Sequence, residues 1–332
     1  MKEILNQLIH HEKLSKEQAK DVLVKISKGD FNQSQVAAFI TVYMMRSITL
    51  EELEGFRDAL LELCVRVDIK GYQTIDLCGT GGDGKNTFNI STLASFVTAG
   101  AGVMVSKHGN YGVSSISGSS NVLEALGIKF SNDEEYLKNC LENAGICMLH
   151  APLFHPAMKN VGPIRRELGV KTFFNMLGPM VNPADPKSQL VGVFSLELAR
   201  LYGYLYQNTD KNFSIVHALE GYDEISLTGT TKVISRNSEE YIHPSNFGLS
   251  QISPSEIFGG DTVEASAKIF MNILEGKGSD AQNHVVCANA ALAIATAKNG
   301  SIEEGFTEAK ESLVSGKALK SLKQLQKLSE AL

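Results

Sequence analysis

Two glycine-containing segments of this chain combine residue types that suit a phosphorylated ligand: residues 76–83 (DLCGTGGD) and residues 106–110 (SKHGN). Glycine has no side chain, so the backbone of such a loop can approach a ligand closely. The first loop leads into residues 89–92 (NIST), a predicted helix start whose N–H groups and dipole favour an anion. The spacing between the loops suits one helix and one strand. The two loops together predict a binding site for a diphosphate.

The second loop adds charge and hydrogen-bonding groups. Lys107 supplies a cation, His108 an aromatic donor, and Asn110 an amide that can both donate and accept. A hydroxyl-rich turn follows and leads into the next predicted helix; its members are Ser114, Ser115, Ser117, Gly118, Ser119 and Ser120. This turn predicts a second phosphate-binding segment.

Two nucleotide-binding motifs fit the first loop poorly. Residues 79–86 (GTGGDGKN) approach the phosphate loop of ATPases, but Asn86 stands where a Ser or Thr must ligate magnesium. Asp83 also places an anion where that loop wraps phosphate. The dinucleotide spacing of Gly79, Gly81 and Gly84 is present, yet the acidic residue expected about 20 positions later is missing.

Composition indicates an ordinary globular protein. The 332 residues carry a net charge of −6, which argues against a nucleic-acid-binding surface. The longest apolar stretches are too short for a membrane span, and the N-terminus lacks the apolar region of a signal peptide. The five cysteines form no CxxC pair, so we expect reduced thiols in a cytoplasmic protein.

The first 68 or so residues read as four short helices. Three capping-box signals occur there, Ser15 with Gln18, Asn32 with Gln35, and Thr49 with Glu52, each followed by apolar residues at helical spacing. From residue 72 onward, short β-branched runs alternate with helical stretches. This pattern predicts an α/β fold: a small N-terminal helical bundle and a larger domain with a mostly parallel central sheet.

The expected domains are 1–70, joined by part of 156–186, and 71–332. Strands are predicted at 74–78, 103–106, 146–149, 189–194, 213–217 and 232–235. Helices are predicted at 91–101, 118–126, 134–143, 156–168, 262–274, 280–297, 303–313 and 318–328. The turn-rich segment 178–186 is expected to cross between the two parts as a hinge. Ligands of such folds bind at the carboxyl ends of the strands, where both glycine loops fall.

Several segments in order resemble the anthranilate phosphoribosyltransferase family. They are residues 76–83, 89–92, 107–110, 117–119, 155–158 (HPAM), 165–169 (RRELG) running into 174–179 (FNMLGP), and 221–226 (GYDEIS). The similarity covers nearly the whole chain. It implies a fold like that of the nucleoside phosphorylases and phosphoribosyltransferases, paired as a homodimer through the helical domain. The implied reaction joins anthranilate to phosphoribosyl pyrophosphate (PRPP), releases pyrophosphate and belongs to tryptophan biosynthesis.

The resemblance also implies a role for individual residues. PRPP would be bound by Gly79, Thr80, Gly82, Asp83, Thr87, Asn89, Ser91, Thr92, Lys107 and Ser119. Anthranilate would be bound by Gly79, His108, Asn110, Arg165, Gly178 and Pro179, with Arg166 as the rival to Arg165 for the carboxylate. Mg²⁺ would be held by Ser91, Asp223 and Glu224, since carboxylate oxygens suit that ion. Because the attacking amine is neutral, no obligatory general base is expected, and closure of the two domains would bring the substrates together.

The chain departs from the family pattern at three positions near the second loop. Tyr111 stands where Arg is common, Ile116 where Lys is frequent, and Asn121 where Asp is frequent. Two other functions stay open at this point. One is a pyrimidine nucleoside phosphorylase on the same fold, and the other is a non-enzymatic relative that binds nucleic acid.

Overall fold

The computed structural model describes residues 1–112 and 117–332, and these divide into two compact units. One unit contains Met1–Arg66 and Ala151–Pro183, and the other contains Val67–His150 and Ala184–Leu332. The chain therefore leaves and re-enters the helical unit. None of the helices in the described ranges is both long enough and apolar enough to cross a membrane.

The helical unit begins with α1 (Lys2–Ile9), α2 (Lys16–Lys28), α3 (Gln33–Met45) and α4 (Leu50–Leu63). All three predicted capping boxes, at Ser15, Asn32 and Thr49, are present. Each satisfies two backbone donors at a helix start, which is why these local signals located the helices. The unit is completed by α8 (Ala151–Phe154), α9 (Gly162–Leu168) and the 3₁₀ turns Pro156–Lys159, Phe173–Met176 and Gly178–Val181.

Four aromatic rings form the centre of the helical unit. Phe56 stacks on Phe173 with ring centroids 4.6 Å apart, and both rings meet Phe39 and Tyr43 edge-on or tilted. Beside them the fully buried carboxylate of Glu52 pairs with Arg46 and accepts a hydrogen bond from the Tyr43 hydroxyl at 3.1 Å. The rings therefore join the chain's first helices to the returning segment.

The α/β unit is built on a seven-stranded sheet within the described residues, in the order β3-β2-β1-β4-β5-β6-β7. The strands are β1 (Ile75–Gly79), β2 (Val105–Gly109), β3 (Ile146–His150), β4 (Ser188–Gly192), β5 (Asn212–Ala218), β6 (Thr231–Ser235) and β7 (Glu239–Ile242). The first five pair in parallel, whereas β6 and β7 are antiparallel. The predicted mostly parallel sheet is confirmed.

The helices of this unit are α5 (Ile90–Gly100), α6 (Ser119–Ala125), α7 (Glu134–Ala144), α10 (Leu196–Gln207), α11 (Val263–Leu274), α12 (Asp280–Lys298), α13 (Ile302–Val314) and α14 (Lys317–Glu330). Short 3₁₀ turns occur at Pro244–Phe247 and Pro254–Ile257. Against the sheet, α5 packs on β1 and β2, α12 on β4 and β5, and α10 on β5 and β6.

Three sequence expectations about elements were wrong. The helix predicted over 156–168 is two short pieces, because Asn160 and Val161 interrupt it and Pro163 can stand only in the first turn of a helix. The prediction omitted α10, which Ser195 caps by accepting a hydrogen bond from the Leu198 N–H. It also omitted β7, an edge strand whose first three residues are exposed and polar enough to hide any alternation.

Candidate functional site

The sheet reverses its order of connection at the edge between β1 and β4. From β1 the chain moves outward to β2 and β3, then returns to the other side of β1 as β4. Ligands of open parallel sheets bind at the carboxyl ends of the strands at such a reversal. A small cavity opens there, lined by the ends of β1, β4 and β5 together with Ser91, Asp223 and Glu224.

The two acids Asp223 and Glu224 are anchored to the two segments that the sequence analysis singled out. Asp223 Oδ2 accepts a hydrogen bond from the Gly81 N–H at 2.7 Å, and Glu224 Oε1 accepts one from the Ser91 N–H at 2.9 Å. These bonds join residues more than 130 positions apart. They place both carboxylates beside the glycine loop and the start of α5, within the α/β unit.

Two glycines are required for this approach. A Cβ on Gly79 would lie 2.2 Å from Asp223 Oδ2, and a Cβ on Gly192 would lie 1.4 Å from the Asp223 carbonyl oxygen. The ends of β1 and β4 therefore carry glycine because the acid segment, residues 223–225, packs on their backbone through Asp223. Sequence analysis selected Gly79 for its loop but had no signal for Gly192.

Asn289 fixes the acid segment from behind. It is buried within α12, its Oδ1 accepts from the Ile225 N–H at 3.0 Å, and its Nδ2 donates to the Ile225 carbonyl at 2.8 Å. Both backbone groups of the residue after Glu224 are thus held by one amide. The sequence analysis missed this residue, although a lone Asn in the apolar stretch of α12 was a usable signal.

The carboxylates destabilise one another's ionised form. Burial, and then the charge of Asp83, raise the pKa of Asp223 to about 7. Burial, followed by the charges of Asp223 and Asp83, raises the pKa of Glu224 well above its usual value. Carboxylates buried in this way are costly to ionise unless a positive charge lies close to them.

The first glycine loop uses part of its backbone internally. The Thr80 N–H donates to the Gly192 carbonyl at 2.9 Å, and the Gly81 N–H is taken by Asp223. These two N–H groups are therefore occupied by the end of β4 and by the buried Asp223 carboxylate. Thr80 Oγ1 is buried and has no hydrogen-bond partner among the described residues.

The start of α5 offers further unsatisfied polar groups. Asn89 is the N-cap residue, but its side chain does not cap the helix; its Nδ2 donates instead to the Ser117 carbonyl at 2.9 Å. Asn89 Oδ1 and Ser117 Oγ are buried without a partner in the described residues. Thr92 is buried in the first turn of the helix, and Thr87 forms a bridge with Phe258. Buried polar atoms left unpaired by the protein indicate a polar ligand.

Lys107 and His108 are buried on β2, near the carboxyl end of that strand. The Lys107 ammonium is buried and donates to the Leu77 carbonyl, while its charge acts on nearby Glu224. The His108 N–H donates to Asp76 Oδ1 at 3.1 Å. Asp76 is fully buried on β1 and was quoted in the motif without a role. These two side-chain bridges connect β1 to β2 just before both glycine loops.

Asn110 and Ser119 meet at the second loop. Ser119 Oγ donates to the Asn110 carbonyl at 3.2 Å, and a Cβ on Gly109 would lie 2.5 Å from that hydroxyl. Asn121 Oδ1 accepts from the N–H groups of Gly112 and Gly118 at 2.9 and 3.0 Å. The departure at Asn121 therefore gives the loop a bridge between its two ends.

Tyr111, the second departure from the family pattern, contacts Glu124 and His150. Its hydroxyl donates to Glu124 Oε1 at 2.7 Å, and its ring lies edge-on to His150 with centroids 4.8 Å apart. The third departure, Ile116, lies outside the described residues, as do Ser114 and Ser115 of the hydroxyl-rich turn.

The residues expected to bind anthranilate fall in both units: Gly79, His108 and Asn110 in the α/β unit, and Arg165, Gly178 and Pro179 in the helical unit. Arg165 lies on α9, with its guanidinium 5.3 Å from the Phe174 ring centre and 3.3 Å from Asn175 Oδ1. Burial lowers the pKa of Arg165. No carboxylate of the described residues forms an ion pair with it, so this guanidinium is suited to an incoming anion. Gly178 and Pro179 begin the 3₁₀ turn Gly178–Val181.

Comparison with known proteins places both parts of the chain in one family. Residues 71–319 match the α/β domain of the glycosyl transferase family, and residues 2–64 match its helical bundle domain. The anthranilate phosphoribosyltransferase of Christiangramia forsetii is 70% identical over 330 residues, covering 99% of this chain and all of the relative. That of Flavobacterium johnsoniae is 69% identical over 329 residues with the same coverage.

Solved structures agree with these relatives. The Thermus thermophilus anthranilate phosphoribosyltransferase superposes with a TM-score of 0.91 at 32% identity, covering 98% of this chain and 99% of that one. The Saccharomyces cerevisiae enzyme in complex with PRPP and Mg gives a TM-score of 0.91 at 29% identity, covering 99% and 97%. On this evidence the chain belongs to the anthranilate phosphoribosyltransferase family.

Proposed function

We propose that this chain transfers the 5-phosphoribosyl group of PRPP to the amine of anthranilate and releases pyrophosphate. The observation that carries the proposal is the anchoring of Asp223 and Glu224 to the glycine loop and to the start of α5. This arrangement brings acids and unsatisfied polar groups together at the carboxyl ends of the strands. Relatives of nearly the same length carry this activity in their name, and a yeast homologue is in complex with PRPP and Mg.

The PRPP-binding residues proposed here all lie in the α/β unit. The unpaired Thr80 Oγ1 and Asn89 Oδ1 support roles in binding hydroxyl or phosphate groups. Asp83 stands on the same loop, where its charge affects Asp223, and suits the sugar or its counterion. Gly79, Gly82, Thr87, Ser91, Thr92, Lys107 and Ser119 complete the set proposed for PRPP.

Magnesium is the metal that these residues suit. No group of three or more His, Cys, Asp and Glu side chains in the described ranges is arranged to hold a metal alone. The pair Asp223 and Glu224, with Ser91, would therefore share the ion with phosphate oxygens, as Mg²⁺ commonly requires. When bound, Mg²⁺ would neutralise charge on the diphosphate.

For the anthranilate carboxylate we propose Arg165, whose buried guanidinium has no carboxylate partner in the described residues. The Phe174 ring beneath it supports its orientation. A planar guanidinium forms a bidentate pair with a carboxylate. The further residues proposed for this substrate are Gly79, His108, Asn110, Gly178 and Pro179.

The reaction itself needs position and electrostatics more than proton transfer. Breaking the bond from C1 of the ribose to the diphosphate leaves positive charge on the sugar and adds negative charge to the leaving group. The buried Lys107 would contribute positive charge to stabilise that leaving group, and a Mg²⁺ ion held by Asp223, Glu224 and Ser91 would add to it. Since the aryl amine attacks as a neutral group, we propose no general base.

The decisive assay follows the native fluorescence of anthranilate. Its loss should require PRPP and Mg²⁺ together, with one pyrophosphate released for each anthranilate consumed. Phosphorolysis of thymidine or uridine without PRPP-dependent loss of fluorescence would favour a nucleoside phosphorylase instead. A gel shift with single-stranded DNA at physiological salt tests the nucleic-acid alternative.

We further propose a homodimer formed through the helical unit. That unit exposes Met44 and Met45 at the end of α3, Met45 with 83% of its surface accessible, and Ile9 at the end of α1. Exposed apolar residues of this size favour a protein contact. Light scattering after size exclusion would show twice the chain mass, and Met45→Lys should shift it toward the monomer. The unbridged thiols support a cytoplasmic location.

A further inference from the structure

Lys85, the lysine of the rejected ATPase motif, lies on the same curled loop as Asp83. Its N–H donates to Asp83 Oδ1 at 3.0 Å. Gly81, Gly82 and Gly84 have φ angles of 64°, 76° and 74°, which only glycine adopts readily. This left-handed backbone turns the loop back on itself and brings Lys85 toward the acid segment rather than away from it.

The side chain of Lys85 rests on the residues that precede the acid pair. Its Nζ lies 4.8 Å from the ring centroid of Tyr222, and its Cε lies 3.6 Å from the Cβ position of Gly221. Tyr222 is buried and directly precedes Asp223. An ammonium over a ring is attracted by the negative face of the ring, and this contact is stronger where water is partly excluded.

The ammonium of Lys85 keeps its hydrogen-bonding capacity. Among the described residues no carboxylate lies within ion-pair distance of it, although Asp83 is only two positions away. Lys107, by contrast, is buried and donates to the Leu77 carbonyl. Lys107 commits one of its three N–H groups to that bond, whereas in the described part of the chain no such bond holds the Lys85 ammonium.

The negative charges around the site explain why a positive charge at Lys85 would favour ligand binding. Asp83, Asp223 and Glu224 already place three carboxylates beside the carboxyl ends of the strands, with Asp223 held by the Gly81 N–H and Glu224 by the Ser91 N–H. A diphosphate adds further negative charge. We infer that Lys85 is a binding residue for the diphosphate of the phosphoribosyl donor, held beside the acid pair by the Tyr222 ring. This inference rests on the proposed function.

The test replaces Lys85 with methionine, which keeps the length of the stem and removes the charge. We expect the KM for PRPP to rise about tenfold or more, as for the loss of one charged hydrogen bond. Inhibition by pyrophosphate should weaken by a similar factor, while the KM for anthranilate changes less than about twofold. Lys85→Arg retains the charge and should show the smaller rise.

A matched control exists on the far edge of the sheet. Lys232 on β6 also lies over a tyrosine ring, 5.8 Å from the centroid of Tyr241, and Lys232→Met should leave both KM values unchanged. Tyr222→Leu should raise the KM for PRPP in the wild-type background and add little to Lys85→Met.

The possible results distinguish the proposed role of Lys85 from the proposed function of the protein. A KM for PRPP within twofold of wild type in Lys85→Met, or equal rises for both substrates, overturns the role of Lys85. A wild-type protein that consumes no anthranilate with PRPP and Mg²⁺ overturns the proposed function itself. Circular dichroism of each variant confirms that it is folded before its kinetics are compared.

Discussion

Replacing Gly79 with alanine tests whether the glycine loop positions the acid pair. The new Cβ would lie 2.2 Å from Asp223 Oδ2 and 2.9 Å from its Cγ. To reach an ordinary contact of 3.4 Å, the carboxylate oxygen must move by about 1.2 Å. That oxygen now accepts the Gly81 N–H at 2.7 Å, so the movement breaks this bond unless the whole loop follows.

The size of the effect of Gly79→Ala on Mg²⁺ binding can be estimated from the lost hydrogen bond. A hydrogen bond to a charged acceptor contributes about 1.5–3 kcal/mol. If Asp223 is displaced from its place beside Glu224, we expect a comparable free energy to be lost from binding of the Mg²⁺ ion that the two acids are proposed to share. This corresponds to a midpoint of the Mg²⁺ titration that rises about ten- to a hundredfold. A displacement of about 1 Å can also cost a hundredfold in rate.

The assay measures initial loss of anthranilate fluorescence across a Mg²⁺ titration, at several PRPP concentrations. Gly71→Ala is the matched control, since a Cβ on Gly71 meets no atom within 4 Å. It should leave the Mg²⁺ midpoint at the wild-type value. Thermal unfolding of both variants separates a folding defect from a binding defect.

A Gly79→Ala protein that folds and titrates with Mg²⁺ within twofold of wild type would refute this reasoning. It would mean that the Asp223 side chain can rotate away from the new methyl group while still holding the ion. The close packing at the ends of β1 and β4 would then have a structural purpose only.

Three further variants test other parts of the structure. Arg165→Ala should raise the KM for anthranilate about tenfold or more and that for PRPP much less, because its buried guanidinium is proposed to pair with the carboxylate; equal rises would contradict that role. Arg46→Met should lower the free energy of unfolding by about 3 kcal/mol in urea, since it leaves the fully buried Glu52 carboxylate without its cation, and adding Glu52→Gln should restore part of the loss. Burial lowers the pKa of His155 to about 4, so the unfolded chain binds the proton more readily and stability should fall by about 3 kcal/mol as the pH drops from 6.5 to 4. Unfolding in urea at both ends of that range should show a fall that is about 3 kcal/mol smaller in His155→Gln than in wild type.

Short-range signals predicted most of the elements. Ser15, Asn32 and Thr49 each located a helix start, because a capping box is formed by residues three positions apart. The glycine loops after β1 and β2 were found for the same reason, since a tight strand-to-helix turn depends on its own residues. The edge strand β7 had no such signal, because only the last of its four residues, Ile242, is buried.

By itself, the sequence determined the family, the order of most elements and the residue types of the site. Only the tertiary structure decided how those residues are used: that Asp223 and Glu224 take the N–H groups of Gly81 and Ser91, and that Asn289 holds the segment behind them. The physical reason is that a buried carboxylate or amide must find hydrogen-bond partners wherever the fold brings them. Here those partners lie 142, 133 and 64 residues away along the chain, a distance over which local patterns carry no information.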